Sequence, residues 1–212
     1  MVRVAVLVSG GGTNLQAIID AKNAGKIPSA ELALVLASND KAYALTRAAN
    51  AGIPSEVLRK AKGEDPSLYG ERLLEVLRRH EIDLVVLAGF LTILPENVIR
   101  AYDHRILNVH PSLIPSFCGD GFYGLRVHEA ALEKGVKVTG ATIHFVNEIT
   151  DGGDIIAQKA VEVLPDDTPE TLQKRVMDEA EWKLLPMAVS LFCQDRLEVQ
   201  GRTVIVKQEE EK

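Results

Sequence analysis

The chain has 212 residues, 46% hydrophobic and 25% charged, a balance that predicts one soluble globular domain with a sizeable core. The formal net charge of -6, without clustered Lys and Arg, argues against nucleic-acid binding, and no apolar run approaches the roughly 18 residues of a membrane span. The two cysteines, Cys118 and Cys193, lack metal-ligand spacing and fit a reducing cytosol, so we expect no metal and a cytoplasmic location.

A glycine-rich turn follows the first predicted strand. Val2–Val8 is a β-branched run typical of a buried strand, residues 9–14 read Ser-Gly-Gly-Gly-Thr-Asn, and a helical pattern starts at Leu15. The amides of such a turn and the dipole of the helix can hold an anion. Neither the P-loop lysine nor the third glycine of a dinucleotide fingerprint is present, which favours a single phosphate. The alternative is a tight connection without a ligand, capped by Thr13 or Asn14.

Strands and helices alternate along the first half of the chain. Apolar runs at 32–38 and 83–88 predict buried strands, and a shorter strand is expected at 53–58. Helical patterns occupy 42–51 and the stretch that begins at Pro66. This alternation predicts an α/β fold with a doubly wound, mostly parallel sheet and right-handed crossovers.

Ligands of such sheets bind beyond the carboxyl ends of the strands. The segments 10–14, 89–94 and 108–115 each follow a predicted strand, and we expect them to line one cleft. The apolar segment 90–94 ordinarily indicates core packing. Beside a polar cleft, however, it could wall a slot for a flat heterocycle.

The segment 106–115, Ile-Leu-Asn-Val-His-Pro-Ser-Leu-Ile-Pro, carries the strongest chemical signal. It begins as a buried strand and leaves the sheet at Pro111, which has no amide donor. Asn108 and His110 lie two residues apart, so they project from the same face of the strand. An amide and an imidazole aimed at one point suit an acyl oxygen that becomes negative. Taken alone, the pair is better interpreted as a turn-forming Asn and a satisfied His, and the rest of the chain reverses that interpretation.

The second half continues the alternation and ends in a helix and a hairpin. The charged tail 208–212 is expected to fray. The predicted elements, in chain order, are a loop at 116–124, a helix at 127–134, strands at 136–146 and 155–164, a long helix capped by Thr168 and Pro169 and kinked at Pro186, and a hairpin that turns at Gln200 and Gly201.

Two further titratable residues lie near the end of the strand at 136–146. His144 is better interpreted as a satisfied core histidine, with support of the cleft as the alternative. The loop 147–154 contains Asp151, which could be a turn former. If the loop folds back, Asp151 could reach His110, favour the protonated imidazole and fix its orientation.

Four motifs together resemble the phosphoribosylglycinamide formyltransferase family. They are the glycine-rich turn at 9–14, Leu-Ala-Gly-Phe at 87–90, Asn-Val-His-Pro-Ser-Leu-Ile-Pro at 108–115 and Asp-Gly-Gly at 151–153, in the family's order and spacing. The third motif is specific for formyl-folate transferases and hydrolases, and the first narrows the resemblance to the glycinamide ribonucleotide branch. The resemblance implies a Rossmann-like formyltransferase fold.

The resemblance also implies an activity. The formyl group of 10-formyltetrahydrofolate, the co-substrate, would pass to the amine of 5'-phosphoribosylglycinamide in purine biosynthesis, with no metal. Asn108, His110 and Asp151 would form the catalytic trio around a tetrahedral intermediate. The implied contacts to the phosphate and the substrate are Gly12, Thr13, Asn14 and Glu181. The implied folate contacts are Leu91, Thr92, Ile93, Leu94, Asn108, Asn147, Glu148, Ile149, Thr150 and Asp151.

The expected organisation is a single formyltransferase domain over 1–212, with a phosphate-binding half up to about residue 104 and a folate-binding, catalytic half from about 105. A homodimer is compatible with this organisation. A formyltetrahydrofolate hydrolase or another formyl-folate transferase could use the same trio, although those relatives carry extra domains that we do not expect here. A non-enzymatic nucleotide-binding module would explain the glycine-rich turn and leave the trio without a role.

Overall fold

The computed structural model describes residues 1–208, so most of the charged tail predicted to fray lies outside the described residues. Its main sheet has seven strands in the order β3-β2-β1-β4-β5-β6-β7. The chain divides into two compact units, Met1–Asn108 and Val109–Lys212, and the boundary falls inside the fifth strand.

The first unit is built from alternating strands and helices. Its elements are β1 (Val2–Val8), α1 (Thr13–Asn23), β2 (Ala30–Ala37), α2 (Ala44–Asn50), β3 (Ser55–Val57), α3 (Pro66–Arg79), β4 (Leu84–Leu87), α4 (Glu96–Ala101) and most of β5 (Ile106–His110).

The pairs β1–β2, β1–β4, β2–β3 and β4–β5 are all parallel. The residues of β4 and of the second half of β1 are buried, as expected for strands covered on both faces. Parallel strands with crossover helices confirm the predicted doubly wound, mostly parallel α/β fold. The carboxyl ends of β1 and β4 therefore lie at the same edge of the sheet.

Two details of the first unit follow from local sequence. Pro66 occupies the first turn of α3, and Asp65 caps the helix by accepting hydrogen bonds from the amides of Ser67 and Leu68. Helix α4 was not predicted from the sequence. With only six residues, α4 is too short to show a helical period, and its buried Val98 and Ile99 become meaningful only once the core is known.

The second unit pairs an antiparallel β-ribbon with helices. Its elements are α5 (Leu125–Lys134), β6 (Val138–Phe145), β7 (Ile155–Glu162), α6 (Pro169–Val176), a π-helical segment (Met177–Glu181), α7 (Trp182–Cys193), β8 (Leu197–Gln200) and β9 (Thr203–Val206). β6 and β7 are antiparallel, and so are β8 and β9, which form a separate two-stranded sheet. Gly140 allows β7 close to β6, because a Cβ there would overlap the carbonyl oxygen of Lys159.

The predicted long C-terminal helix and hairpin are confirmed, with two differences. The hairpin turns at Gly201 and Arg202, one residue later than predicted, because Gln200 pairs with Thr203. The helix is irregular at a different place. Thr168 and Pro169 begin the helix as expected. The α-helical winding is interrupted at Met177–Glu181, and Pro186, where a kink was expected, lies inside α7. Proline removes one amide hydrogen bond from a helix, and the wider π winding lies one turn earlier than that loss. Within the described residues, no helix is both long enough and apolar enough to span a membrane.

Candidate active site

The glycine-rich turn leads directly into α1. Gly12 is the N-cap residue with φ of +70°, in the left-handed region, and no side chain caps the helix. The cap by Thr13 or Asn14 that belonged to the ligand-free alternative is therefore not found. A Cβ on Gly12 would lie 2.6 Å from the Cβ of Ala44, so only glycine lets α2 pack this closely. A Cβ added to Gly10 or Gly11 would have no atom of the described residues within 4 Å, apart from the glycine itself and its chain neighbours. The turn therefore presents open backbone at the positive end of an 11-residue helix, which suits an anion.

Hydrogen bonds through Ser9 fix the turn within the first unit. The amide of Leu91 and the hydroxyl of Ser38 both donate to the hydroxyl oxygen of Ser9, at 2.9 and 2.8 Å. The side-chain amide of Asn39 donates to the Ser9 carbonyl at 2.9 Å. Ser9 thus ties the start of the turn to the start of the 91–94 segment.

The 91–94 segment has two exposed apolar side chains. Leu91 is 63% exposed and Ile93 is 74% exposed, whereas Leu94 is buried and Thr92 lies between these extremes. The core-packing alternative therefore holds for Leu94 and fails for Leu91 and Ile93.

Arg47 is a neighbour of the turn that the sequence analysis missed. Its Nε donates to the carbonyl of Gly11 at 2.8 Å and its Nη1 donates to the side-chain oxygen of Gln16 at 3.0 Å. Both partners are neutral, so the guanidinium adds positive charge beside the turn. Nothing in the local sequence signals this role, because Arg47 reaches the turn only through the packing of α2.

The end of β5 carries Asn108 and His110. His110 is 4% exposed, and Asn108 is half-buried two residues earlier in the same strand. The Nε2 of His110 lies 2.8 Å from the carbonyl oxygen of Phe117, so this nitrogen carries the proton and donates it. The Nδ1 of His110 lies 3.4 Å from Oδ2 of Asp151. The loop therefore folds back as expected and brings Asp151 to His110.

Asp151 is held by three groups of the second unit. Besides His110, the amide of Gly119 donates to its Oδ2 at 2.9 Å, and Nε2 of His144 lies 3.7 Å from its Oδ1. Burial would raise the pKa of Asp151, but the hydrogen bond from His144, the charge of His110 and the Gly119 amide together lower it below its ordinary value. The acid is therefore a carboxylate at neutral pH.

The position of His144 favours the alternative that the sequence analysis ranked second. The ring is 1% exposed, its Nδ1 lies 2.7 Å from the carbonyl oxygen of Phe145, and its Nε2 faces Asp151. The histidine is thus both satisfied and in contact with the candidate catalytic acid. This contact could not be predicted from the sequence, because the local pattern of β6 does not indicate which residue the His144 ring faces.

The protonation state of His110 differs from the expectation. Burial lowers the pKa of His110 and the charge of His144 lowers it further, while Asp151 and the Phe117 carbonyl raise it, and the net pKa lies below the ordinary value. Asp151 does favour the protonated ring, but burial outweighs it. In this conformation, His110 is neutral at neutral pH.

The other predicted residues of the second unit lie on its loops and at the end of the π-helical segment. Glu148, Ile149 and Thr150 are exposed, and Ile149 is 67% exposed. The amide of Ile149 donates to the side-chain oxygen of Asn147 at 3.0 Å. Glu181 is 4% exposed and ends Met177–Glu181, a π-helical turn of a kind that is rare and frequently found at functional sites.

Cys118 gains no nucleophilic character from its surroundings. Burial and the charge of Asp151 both raise the pKa of its thiol, so the thiolate is disfavoured. Among residues 1–208, no group of three or more His, Cys, Asp and Glu side chains is placed to hold a metal ion.

Comparison with known proteins identifies the family. The formyl transferase family matches residues 2–189. Phosphoribosylglycinamide formyltransferases of chloroplasts are 44% identical over 196 residues in Arabidopsis thaliana and 40% identical over 195 residues in Vigna unguiculata, covering 92% of this chain. The chain spans 66% and 62% of the lengths of these relatives.

A solved structure agrees with the sequence comparison. The glycinamide ribonucleotide transformylase 1 of Symbiobacterium toebii is 41% identical and superposes with a TM-score of 0.91, covering 98% of this chain and 95% of its own. With the fold, the glycine-rich turn and the paired His110 and Asp151 in place, the chain belongs to the formyl transferase family.

Proposed function

We propose that the protein transfers the formyl group of 10-formyltetrahydrofolate to the amine of 5'-phosphoribosylglycinamide in purine biosynthesis. The observation that carries the proposal is the approach of Asp151 to His110 at 3.4 Å, at the end of β5 and two residues beyond Asn108. In a nucleotide-binding module without enzymatic activity, this buried acid and imidazole would have no role. Relatives and a structural neighbour named for this reaction support the same proposal.

In the proposed mechanism, the substrate amine attacks the formyl carbon and the carbonyl oxygen becomes an oxyanion. Asn108 and His110 donate hydrogen bonds to that oxygen. In this structure, the Nε2–H of His110 donates its hydrogen bond to the Phe117 carbonyl. The formyl oxygen must therefore replace this carbonyl as the acceptor. A developing oxyanion favours protonation of the ring, as Asp151 already does.

Asp151 orients His110, accepts the proton from the attacking nitrogen and returns it to the folate nitrogen. The oxyanion then collapses to a carbonyl as the bond between the formyl carbon and the folate nitrogen breaks. Its lowered pKa keeps it ionised for this task. Holding the two substrates together supplies a large share of the acceleration, since proximity alone can contribute roughly 7–11 kcal/mol. No covalent enzyme intermediate is involved.

The remaining assignments follow the family pattern. Gly12, Thr13 and Asn14 would bind the phosphate, supported by the positive end of α1. Glu181 would contact the glycinamide substrate. The exposed apolar surfaces of the segment 91–94 and the loop 147–151 would pack against the pterin of the folate. A cytoplasmic location and a homodimer stay predictions from the sequence.

A folate hydrolase that releases formate could use the same trio. The test that separates the two activities is formyl release from 10-formyltetrahydrofolate with and without 5'-phosphoribosylglycinamide. If the protein is a transferase, formyl release should require the amine substrate, and the formyl group should be found on 5'-phosphoribosylglycinamide. Formate produced at the same rate without the amine substrate would contradict transfer and favour hydrolysis.

His110→Ala and Asp151→Asn should each lower kcat on the order of 100-fold or more, because each removes a group that holds or moves a proton in the transition state. His104→Ala is the matched control, since this exposed histidine contacts Asp103 in the first unit. Circular dichroism verifies that all variants are folded. Near-normal transfer by either site variant would refute the role assigned to that residue.

A further inference from the structure

The hairpin of β8 and β9 approaches the loop that holds Asp151. The hairpin lies beyond residues 2–189, the part of the chain that matches the family, and forms its own small sheet. Its strands pair antiparallel from Leu197 with Val206 to Gln200 with Thr203, so Gly201 and Arg202 form the tip. This tip contacts the segment immediately after Asp151.

Arg202 supplies the contacts. Its Nη2 donates to the carbonyl oxygen of Gly152 at 2.7 Å, and its Nε lies 3.5 Å from Oδ1 of Asp154. The side chain is 77% exposed, so these contacts are not a by-product of core packing. A guanidinium hydrogen bond to a carbonyl oxygen is charge-assisted and stronger than one between neutral groups.

The backbone after Asp151 needs such support. Asp151 has φ of +54°, in the left-handed region, and two glycines follow it. Glycines have the greatest conformational freedom, so each contact to this segment helps to hold the carboxylate of Asp151 in place. The Gly152 amide donates to the carbonyl of Ile149 at 2.9 Å, and the side-chain amide of Asn147 donates to the Gly152 carbonyl at 3.2 Å. Arg202 is the second donor to that carbonyl, and the only one outside the loop among the described residues.

We propose that Arg202 is a positioning residue, which holds the Gly152 peptide so that Asp151 stays in contact with His110 and His144. This inference rests on the proposed function, because it concerns the residue proposed to carry the proton. The C-terminal hairpin thereby supports the loop that carries Asp151.

The test compares Arg202→Ala, Arg202→Lys and Arg196→Ala. Arg196 is the matched control, because it lies at the base of the same hairpin, where its Nε donates to the carbonyl of Lys207 at 2.9 Å. Arg202→Ala should lower kcat on the order of fivefold to tenfold, the equivalent of one hydrogen bond, with little change in KM for the amine substrate. Arg202→Lys keeps one donor and should recover part of the loss.

The pH profile separates positioning from general stability. A displaced Asp151 loses part of the interactions that lower its pKa, so the acid limb of the kcat profile should move to higher pH in Arg202→Ala and stay in place in Arg196→Ala. A wild-type kcat and pH profile for Arg202→Ala, or equal effects in Arg196→Ala, would overturn the proposal.

Hydrogen exchange gives a readout that needs no activity. The amides of residues 147–154 should exchange faster in Arg202→Ala than in the wild-type protein or in Arg196→Ala. If the wild-type protein transferred no formyl group, the proposed function would fail, and exchange alone would still decide whether Arg202 holds the loop. Unchanged exchange in Arg202→Ala would refute the inference in either case.

Discussion

At the scale of single residues, the site depends on what burial does to neighbouring charges. His110 and Asp151 lie 3.4 Å apart, yet both have pKa values below their ordinary values. For the acid, the donors of His144 and Gly119 outweigh burial, whereas for His110 burial outweighs the attraction of the acid. The resting site is therefore a carboxylate beside a neutral imidazole, which is ready to gain a proton when negative charge develops on a substrate.

Glycine residues of the turn also differ from one another. Gly12→Ala should lower the free energy of unfolding by at least about 1–2 kcal/mol, because alanine is strained at φ of +70° and its Cβ would lie 2.6 Å from that of Ala44. Gly11→Ala is the matched control, with negative φ and open space at its Cβ. Gly11→Ala should leave stability unchanged or raise it by up to about 1 kcal/mol, because alanine reduces the conformational entropy of the unfolded chain. Urea unfolding checks both, and equal losses would contradict the packing argument.

At the scale of elements, helix starts are determined by short local motifs. Thr168 accepts a hydrogen bond from the amide of Thr171 at 3.3 Å, and the hydroxyl of Thr171 accepts one from the amide of Thr168 at 2.9 Å. Asp167 adds a bidentate pair with Arg175 at 2.6 Å, and the hydrogen bonds from Arg175 help to lower its pKa to about 2. These contacts define the start of α6, whereas the winding of Met177–Glu181 has no comparable local signal.

Thr168→Ala should therefore lower the free energy of unfolding by about 1 kcal/mol, since alanine cannot cap the helix. Thr46→Ala is the control, for which we expect no loss of stability. Thr46 is exposed inside α2, where alanine has the higher helix propensity, so this change should be neutral or slightly stabilising. Equal losses in the two variants, measured by urea unfolding, would exclude a capping role for Thr168.

At the scale of the whole molecule, buried histidines make stability sensitive to acid. His128 on α5 is fully buried, neither ring nitrogen has a hydrogen-bond partner among the described residues, and burial, with the charge of His110, lowers its pKa to about 4. The unfolded chain binds a proton at this residue near pH 6.5, while the folded chain does not until about pH 4. Stability therefore falls as the pH drops between these two values.

Because proton binding by His128 is linked to unfolding, the free energy of unfolding should fall by roughly 3 kcal/mol between pH 6.5 and about pH 4. His128→Leu has no proton to gain and should show a pH dependence of stability that is flatter by about this amount. Urea unfolding at several pH values measures it. If the free energy of unfolding of His128→Leu depended on pH as steeply as that of the wild-type protein, residues other than His128 would cause the acid sensitivity.

The positions of most elements were predictable because they depend on local patterns. The apolar run of β1, the glycine-rich turn, Pro66 at the start of α3 and Thr168 at the start of α6 each act within a few residues. Helix α4 was missed, since six residues carry too little periodicity.

Sequence patterns alone were enough to predict the doubly wound α/β fold, the glycine-rich turn after β1 and the placement of Asn108 and His110 on one face of β5. Side-chain alternation and turn-forming residues act over only a few positions, so these features can be predicted locally. Long-range packing was needed to show that Asp151 meets His110 and His144, that Arg47 and Arg202 reach glycine-rich backbone, and that burial lowers the pKa of His110. These features join residues far apart in the chain, and desolvation exists only once the surrounding core has formed.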